Sequence, residues 1–247
     1  MERSGFRKVY RYVCQQQNKQ KVRFMDKSLI VFPGAGNPSV SLYKDVYKLI
    51  ERGAIDYGYD HVDLSVRYPG QFDDEHNETQ SSLSFTSATK AAIQHLRQYE
   101  KAKKPFDILG RSFGTFIALK SAEILRPQFL KRMILWGAPA YWRLWTGFVQ
   151  DFAETQRISK DKKVFLEEDF FVTIQPIESL LPNITYSCVM ASGSLDKNTT
   201  AEDMNYYRQL ANNNVRFSEI VKNAKHEVTN NDSPDVIAQY LKALFTE

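Results

Sequence analysis

The chain has 247 residues with 43% apolar content, enough to bury one large core, so we expect a single globular domain over residues 1–247. Its formal charge of +4 is mild and its basic residues are scattered, which does not favour a nucleic-acid-binding surface. No stretch approaches the roughly 18 uncharged apolar residues that would span a bilayer.

Neither the first residues nor the cysteines indicate secretion. The segment 1–7 lacks the apolar run of a secretory signal, so we expect a cytoplasmic protein. Cys14 and Cys188 lie far apart in the chain. In a cytoplasmic protein they are expected to be reduced and structural rather than joined in a disulfide.

Strand patterns alternate with helix patterns along the chain. In order, we predict a β ribbon at 6–13 and 21–24, a buried strand at 28–32, a helix at 41–52, a strand at 61–66 and a helix at 84–100. There follow a strand at 106–109, a helix at 115–125, a strand at 132–136, a long interruption at 139–182, a strand at 186–191, a helix at 201–212, a strand at 215–221 and a last helix opened by Ser233 and Pro234. This alternation predicts the α/β class, with a mostly parallel central sheet, helices on both faces and ligands bound at the carboxyl ends of the strands.

Residues 110–114 read Gly-Arg-Ser-Phe-Gly, a G-x-S-x-G sequence between a strand pattern and a helix pattern. A serine at such a corner has a strained backbone, and glycines two residues to either side let neighbouring chains pass closely. The turn exposes the hydroxyl and directs the free N–H groups of the helix N-terminus towards the group that the serine attacks. The pattern predicts Ser112 as a nucleophile, and a purely structural turn serine is the alternative.

A serine hydroxyl needs an adjacent base, which a third group must orient. Of the four histidines, His61 begins a strand at the opposite edge of the predicted sheet, His76 lies in an acidic loop and His95 lies within an amphipathic helix. His226 follows the last predicted strand and belongs at the same edge as Ser112. We therefore predict His226 as the general base, against a solvated or loop-capping histidine.

The orienting carboxylate is expected after an earlier strand of the sheet. Asp196 follows the strand at 186–191 and a short turn, and it is the residue that we predict. Asp203 and Glu202 are weaker candidates because they lie in the first turn of the next helix, where carboxylates already interact favourably with the helix dipole.

Two backbone N–H groups must stabilise the anionic tetrahedral intermediate of such a reaction. One belongs to the residue after the nucleophile, Phe113. The other is expected in the loop after the first buried strand, where Gly34-Ala35-Gly36 lets the backbone approach closely, and Ala35 is the predicted donor.

These segments together resemble the α/β-hydrolase superfamily over nearly the full chain, through residues 32–36, 110–114, 193–196 and 225–227. The order Ser112, Asp196, His226 is the Ser…Asp…His order of that superfamily. The C-terminal third is similar to monoacylglycerol lipases and lysophospholipases, and residues 32–36 are similar to the loop of type II thioesterases. The resemblance implies an α/β-hydrolase fold and a serine hydrolase.

Two residues depart from the usual pattern of this superfamily. Pro33 stands where most members carry histidine before the first glycine of the loop, and Arg111 occupies a position often held by histidine. Arg111 is expected either to pack under the turn or to direct its charge towards the rim of the pocket.

The interruption at 139–182 falls where this superfamily inserts its cap. Its many aromatic residues could line an apolar pocket for an acyl group, or could only pack the cap onto the body. A second segment, 68–79, could form the opposite wall. Its acidic run with His76 has unremarkable ligand spacing, so we read it as a solvated loop and expect neither a metal nor a cofactor.

The expected substrate is a small acyl compound. Carboxylic esters are preferred, followed by thioesters and then by amides or short peptides. A peptidase would need an anchor for a free amino terminus, which Glu167, Glu168 and Asp169 could supply, although these charges could equally face solvent. A hypothesis of a different class is a non-catalytic hydrolase fold that binds a small molecule or a protein, although such chains usually lack one of the three catalytic residues.

Overall fold

The computed structural model describes residues 27–39, 41–71, 80–140, 156–159, 162–166 and 177–246. The strands are β1 (Ser28–Phe32), β2 (His61–Asp63), β3 (Gln80–Leu83), β4 (Phe106–Arg111), β5 (Leu130–Trp136), β6 (Gln156–Ser159), β7 (Lys162–Leu166), β8 (Ser187–Ala191) and β9 (Val215–Phe217). The helices are α1 (Ser41–Asp56), α2 (Phe85–Ala102), α3 (Phe113–Leu125), α4 (Ile177–Leu180), α5 (Ala201–Leu210) and α6 (Pro234–Phe245), and a 3-10 turn at Leu181–Asn183 follows α4.

The main sheet of the described residues has six strands in the order β2-β1-β4-β5-β8-β9, and each neighbouring pair is parallel. β1 and β4 are buried at every position, as expected for central strands covered on both faces. Helix α2 packs beside α3, and α1 packs beside α6. The structure therefore confirms the α/β class and the mostly parallel central sheet.

Parallel strands end at a common edge, and this fixes where the chemistry can lie. β4 ends directly before Ser112, β5 ends before Gly137, and β8 ends a few residues before Asp196. The loop that contains His226 follows β9, and the loop of Ala35 follows β1. All five residues thus follow the carboxyl ends of strands in one sheet.

A second sheet has the order β3-β7-β6, with β3 parallel to β7 and β6 antiparallel to β7. The sequence analysis did not predict these strands. β6 and β7 belong to the interruption at 139–182, whereas β3 directly precedes α2. The interruption therefore contributes strands to a sheet that is separate from the main one.

Two predicted strands are shorter than expected. β2 ends at Asp63, whose Oδ1 accepts the backbone N–H of Ser65 at 2.8 Å and turns the chain. β9 ends at Phe217, and the more distant Val221 forms only an isolated bridge with Gly193. The last helix begins as predicted, with Ser233 as its N-cap and proline in the first turn.

Several expectations fall on residues outside the described ranges. These include the β ribbon at 6–13 and 21–24, Cys14, and the acidic residues at 167–169. Cys188 is free and buried, and burial raises the pKa of its thiol to about 12. Within the described residues, no helix has the length and apolar character needed to cross a membrane.

Candidate active site

Ser112 occupies the corner between β4 and α3 with φ 51° and ψ −121°, a conformation that side-chain-bearing residues rarely adopt. A Cβ atom added at Gly110 would lie 2.7 Å from the carbonyl oxygen of Gly114, and one added at Gly114 would lie 2.1 Å from that of Phe32. Only glycines allow these backbones to approach so closely. The predicted strained strand-turn-helix corner is therefore present, and Ser112 itself is only partly buried.

His226 and Asp196 form a direct hydrogen bond. His226 Nδ1 lies 2.8 Å from Asp196 Oδ2, and the aspartate side chain is 0% exposed while that of the histidine is 15% exposed. A carboxylate can only accept, so Nδ1 carries the proton and Nε2 is left as the basic nitrogen. The other oxygen, Oδ1, accepts the backbone N–H groups of Asn198 at 2.8 Å and Thr199 at 3.0 Å. These bonds fix the carboxylate, which in turn fixes the imidazole.

The end of β5 connects this pair to the serine corner. The N–H of Ser112 donates to the carbonyl of Trp136 at 3.0 Å, and the indole Nε1 of Trp136 donates to the carbonyl of His226 at 2.9 Å. Gly137 follows with φ 59°, and a Cβ atom added there would lie 2.9 Å from His226 Nδ1 and 3.2 Å from Asp196 Oδ2. The histidine–aspartate pair thus packs on a glycine that directly follows β5, the strand next to β4.

Side chains from α1 and from the loop after β2 hold the loop that follows β1. The hydroxyl of Tyr47 accepts the N–H of Gly34 at 2.9 Å, and the hydroxyl of Tyr68 donates to the carbonyl of Pro33 at 3.1 Å. The amide Nε2 of Gln71 donates to the carbonyls of Gly34 at 3.2 Å and Ala35 at 3.3 Å. All three of these side chains belong to buried residues.

These contacts determine which way the peptide groups of the loop face. A trans peptide is planar, so its N–H points opposite to its C=O. Because the carbonyl of Gly34 faces Gln71, the N–H of Ala35 faces away from it. Gly34 itself lies against the corner, since a Cβ atom added to it would be 3.3 Å from Ser112 Cβ.

Phe113 is the first residue of α3, so its backbone N–H is one of the donors at the N-terminus of that helix. Its buried ring packs edge-on against Tyr68, with 5.5 Å between ring centroids, and against Phe85 at 6.4 Å. The aromatic contacts fix the start of α3 next to the Ser112 corner.

The remaining candidates have other partners. His95 Nε2 lies 2.7 Å from Asp63 Oδ2, which also accepts the hydroxyl of Tyr99 at 2.6 Å. Burial raises the pKa of Asp63, but hydrogen bonds from His95, Ser65 and Tyr99 lower it by more, so the net shift is downward. This second histidine–aspartate pair lies at the end of β2, which is an outermost strand of the main sheet. His61 is exposed at the start of that strand.

Asp203 serves the N-terminus of α5. Its Oδ2 accepts the N–H of Thr200 at 2.8 Å, and its own N–H donates to Thr200 Oγ1 at 3.4 Å, which together form a capping box. Glu202 is exposed in the same turn, and His76 lies outside the described residues. The structure therefore brings Asp196, rather than Asp203, to His226.

Sequence reasoning missed the residues that support the site, namely Tyr47, Tyr68, Gln71, Trp136 and Gly137. Gly137 could have been noticed as a small residue directly after a buried strand. The others carry no local pattern, since each acts across a separation of more than ten residues in the chain.

No protein-family model matches the sequence, and no curated protein shows significant similarity to it. Solved structures do match its fold. Alpha/beta hydrolase domain-containing protein 10 from mouse has a TM-score of 0.60 and 16% identity, over 87% of this chain and 86% of that chain. The esterase domain of a Rhodothermus marinus protein has a TM-score of 0.57 and 16% identity, over 88% of this chain and 84% of that chain. A deformylase from Pseudomonas putida S16 has a TM-score of 0.54 and 15% identity, over 89% of this chain and 91% of that chain.

Proposed function

Because the chain has the α/β-hydrolase fold, we propose that it is a serine hydrolase that cleaves carboxylic esters of small acyl compounds. The observation that carries this proposal is the bond of 2.8 Å between His226 and the fully buried Asp196, in loops beside the strained corner of Ser112. A buried carboxylate that fixes one imidazole nitrogen leaves the other nitrogen to act as a base.

In the proposed reaction, Ser112 Oγ attacks the ester carbonyl carbon while His226 Nε2 accepts its proton. The negative charge moves to the former carbonyl oxygen, which accepts hydrogen bonds from the N–H groups of Ala35 and Phe113. The C–O bond to the leaving group then breaks, and the imidazolium returns its proton to the departing alcohol. A water molecule, deprotonated by His226, attacks the acyl-enzyme, and the imidazolium gives this proton to Ser112 Oγ as the bond from Oγ to the acyl carbon breaks and the acid leaves. Asp196 stays ionised and stabilises the imidazolium throughout.

The loop contacts support the role proposed for Ala35. Four hydrogen bonds with Tyr47, Tyr68 and Gln71 engage one N–H and three carbonyls of the loop, and the bond that Gln71 donates to the Gly34 carbonyl leaves the Ala35 N–H facing the opposite way. A donor that is held in place before the charge develops does not have to reorganise during the reaction.

The leaving group is the part of the proposal that the fold does not distinguish. The same fold carries the esterase domain from Rhodothermus marinus and the deformylase from Pseudomonas putida, which act on different bonds. Esters are preferred to amides because an alcohol leaves more readily than an amine. A panel of p-nitrophenyl esters of rising chain length, beside acyl-CoA and aminoacyl amides, identifies the class by comparison of kcat/KM.

In this proposal residues 139–182 form a cap on a single hydrolase domain. Support comes from β6 and β7, which pair with β3 in a separate sheet rather than extending the main one. The aromatic residues at 141–155 lie outside the described ranges.

A fluorophosphonate probe tests the proposed function, because it phosphonylates the activated serine of a serine hydrolase. We expect labelling of the wild-type protein and none of Ser112→Ala. A folded wild-type protein that is not labelled would instead favour the non-catalytic binding protein.

Asp196→Asn is expected to lower kcat by roughly 10⁴, because an amide in this place favours the wrong imidazole tautomer. Asp203→Asn is the matched control, since Asp203 is also a buried aspartate after β8 but caps α5. It is expected to weaken the helix and leave kcat near the wild-type value. If Asp203→Asn shows the large loss and Asp196→Asn does not, the orienting carboxylate is misassigned.

Gly137→Ala is expected to lower kcat by about a hundredfold, because the new methyl group meets the His226 ring and a misplacement of ~1 Å costs on that order. Gly58→Ala is the control, since Gly58 also has positive φ, 90°, but no atom within 4 Å of an added Cβ. Both variants should lose more than about 1 kcal/mol of unfolding free energy. Equal kcat values in the two variants would contradict the packing of His226 on Gly137.

A further inference from the structure

We propose that Arg111, paired with Glu227, is a positioning residue that holds the loops of His226 and Ala35 in fixed positions relative to Ser112. This inference rests on the proposed function. It resolves the alternatives left open for Arg111, since its side chain packs under the turn and is 3% exposed.

The ion pair joins the residues next to the two proposed reacting groups. Arg111 is the last residue of β4 and directly precedes Ser112, while Glu227 directly follows His226. Arg111 Nη2 donates to Glu227 Oε1 at 3.0 Å across a separation of 116 residues. A bond between these neighbours limits how far the histidine loop can shift relative to the serine corner.

The same guanidinium also contacts the loop that follows β1. A Cβ atom added at Gly34 would lie 3.1 Å from Arg111 Nη1, so the guanidinium lies directly against this glycine. Arg111 Cζ lies 5.8 Å from the centroid of the Tyr47 ring, whose hydroxyl accepts the Gly34 N–H at 2.9 Å. One side chain therefore touches the serine corner, the histidine loop and the Ala35 loop.

The charge on Arg111 is maintained in this buried place. Burial lowers the pKa of the guanidinium, but Tyr47, Glu227 and Tyr240 raise it by more, so the net shift is upward. A buried charge is tolerated only when it is paired, and a guanidinium binds its partners in fixed directions. Arg111 thus acts as a rigid connector, which an apolar side chain of similar size would not be.

The test breaks the ion pair by substitution of Glu227, its more exposed partner. Glu227 has 42% of its side chain exposed, so Glu227→Ala is expected to fold. We expect kcat for a p-nitrophenyl ester to fall about 10- to 100-fold with KM nearly unchanged, since loss of these fixed positions acts on the chemical step. The rate of fluorophosphonate labelling should fall by the same factor. Glu227→Gln keeps an acceptor for Arg111 and should recover part of the loss.

Glu123→Ala is the matched control. Glu123 is also 42% exposed and pairs with Lys120 at 2.6 Å, but it lies near the far end of α3, about 16 Å along the helix from Ser112. It should leave both rates at the wild-type value. In an Arg111→Met background, Glu227→Ala should add little further loss, because the partner is already gone.

The outcomes separate the two proposals. If the wild-type protein is labelled at Ser112 and Glu227→Ala is labelled equally fast, the positioning role is wrong and the proposed function stands. If Glu227→Ala raises KM alone, Glu227 contacts substrate and the positioning role is again wrong. If the folded wild-type protein is not labelled, the proposed function fails and the positioning role fails with it.

Discussion

Ser112→Ala is expected to abolish ester turnover and fluorophosphonate labelling, and Ser112→Gly to do the same in a more stable protein. Losing the nucleophile of a serine hydrolase lowers kcat by roughly a millionfold. The expected difference in stability comes from the backbone at position 112. A φ of 51° is strained for serine and alanine, whereas glycine adopts it freely. Relief of ~1–3 kcal/mol of strain exceeds the ~0.4–1 kcal/mol that glycine costs through the unfolded chain. The free energy of unfolding of Ser112→Gly should therefore be about 1 kcal/mol higher than that of Ser112→Ala.

Denaturant unfolding of the two variants measures this difference. Lys103→Gly is the control, since Lys103 also has positive φ, 53°, but ends α2 away from the proposed reacting groups. It should raise stability slightly and leave turnover unchanged. A Ser112→Gly protein less stable than Ser112→Ala would mean that the corner is not strained, and turnover near the wild-type rate in either variant would mean that Ser112 is not the nucleophile.

His226→Ala is expected to lower kcat by a factor of the same order, because base and nucleophile act as one unit and losing either costs about as much as losing both. The fold should be retained with a loss of about 1–3 kcal/mol in stability, because Asp196 loses one donor but keeps the N–H groups of Asn198 and Thr199. Steady-state turnover of a p-nitrophenyl ester, with thermal unfolding as a check, measures both effects.

His95→Ala provides the control for this experiment, because His95 forms the second histidine–aspartate pair, with Asp63. Removing it leaves Asp63 short of one donor, so we expect a loss of about 1–3 kcal/mol in stability and near-normal kcat. The opposite pattern, with kcat lost in His95→Ala and kept in His226→Ala, would mean that His95 is the base instead.

The central sheet was predictable because the residues of its central strands by themselves indicate buried strands. Residues 29–32 form an apolar run before Pro33 and Gly34, and residues 106–109 are apolar except for Asp107 and stand before Gly110, which is typical of strands buried on both faces. The second sheet was missed for the converse reason. β3 reads Gln-Ser-Ser-Leu, which has no strand-like composition, and it forms only by pairing with β7 some eighty residues later in the chain.

The candidate site divides in the same way. Ser112, Asp196 and His226 follow strands, and their positions along the chain indicate a shared edge of the sheet. The contacts that support these three residues join parts of the chain that are far apart in the sequence. Nothing near Gln71 indicates that its amide holds two carbonyls of a loop 36 and 37 residues earlier. Likewise, the role of Arg111 depends on a glutamate 116 residues away, which no local pattern can reveal.

Trapping the covalent intermediate tests the central claim most directly. Wild-type protein mixed with a p-nitrophenyl ester, quenched in acid and digested, should yield a peptide that contains Ser112 and is heavier by the acyl group. An adduct found only on another residue would contradict attack by Ser112 with His226 as its base and Asp196 as the orienting carboxylate.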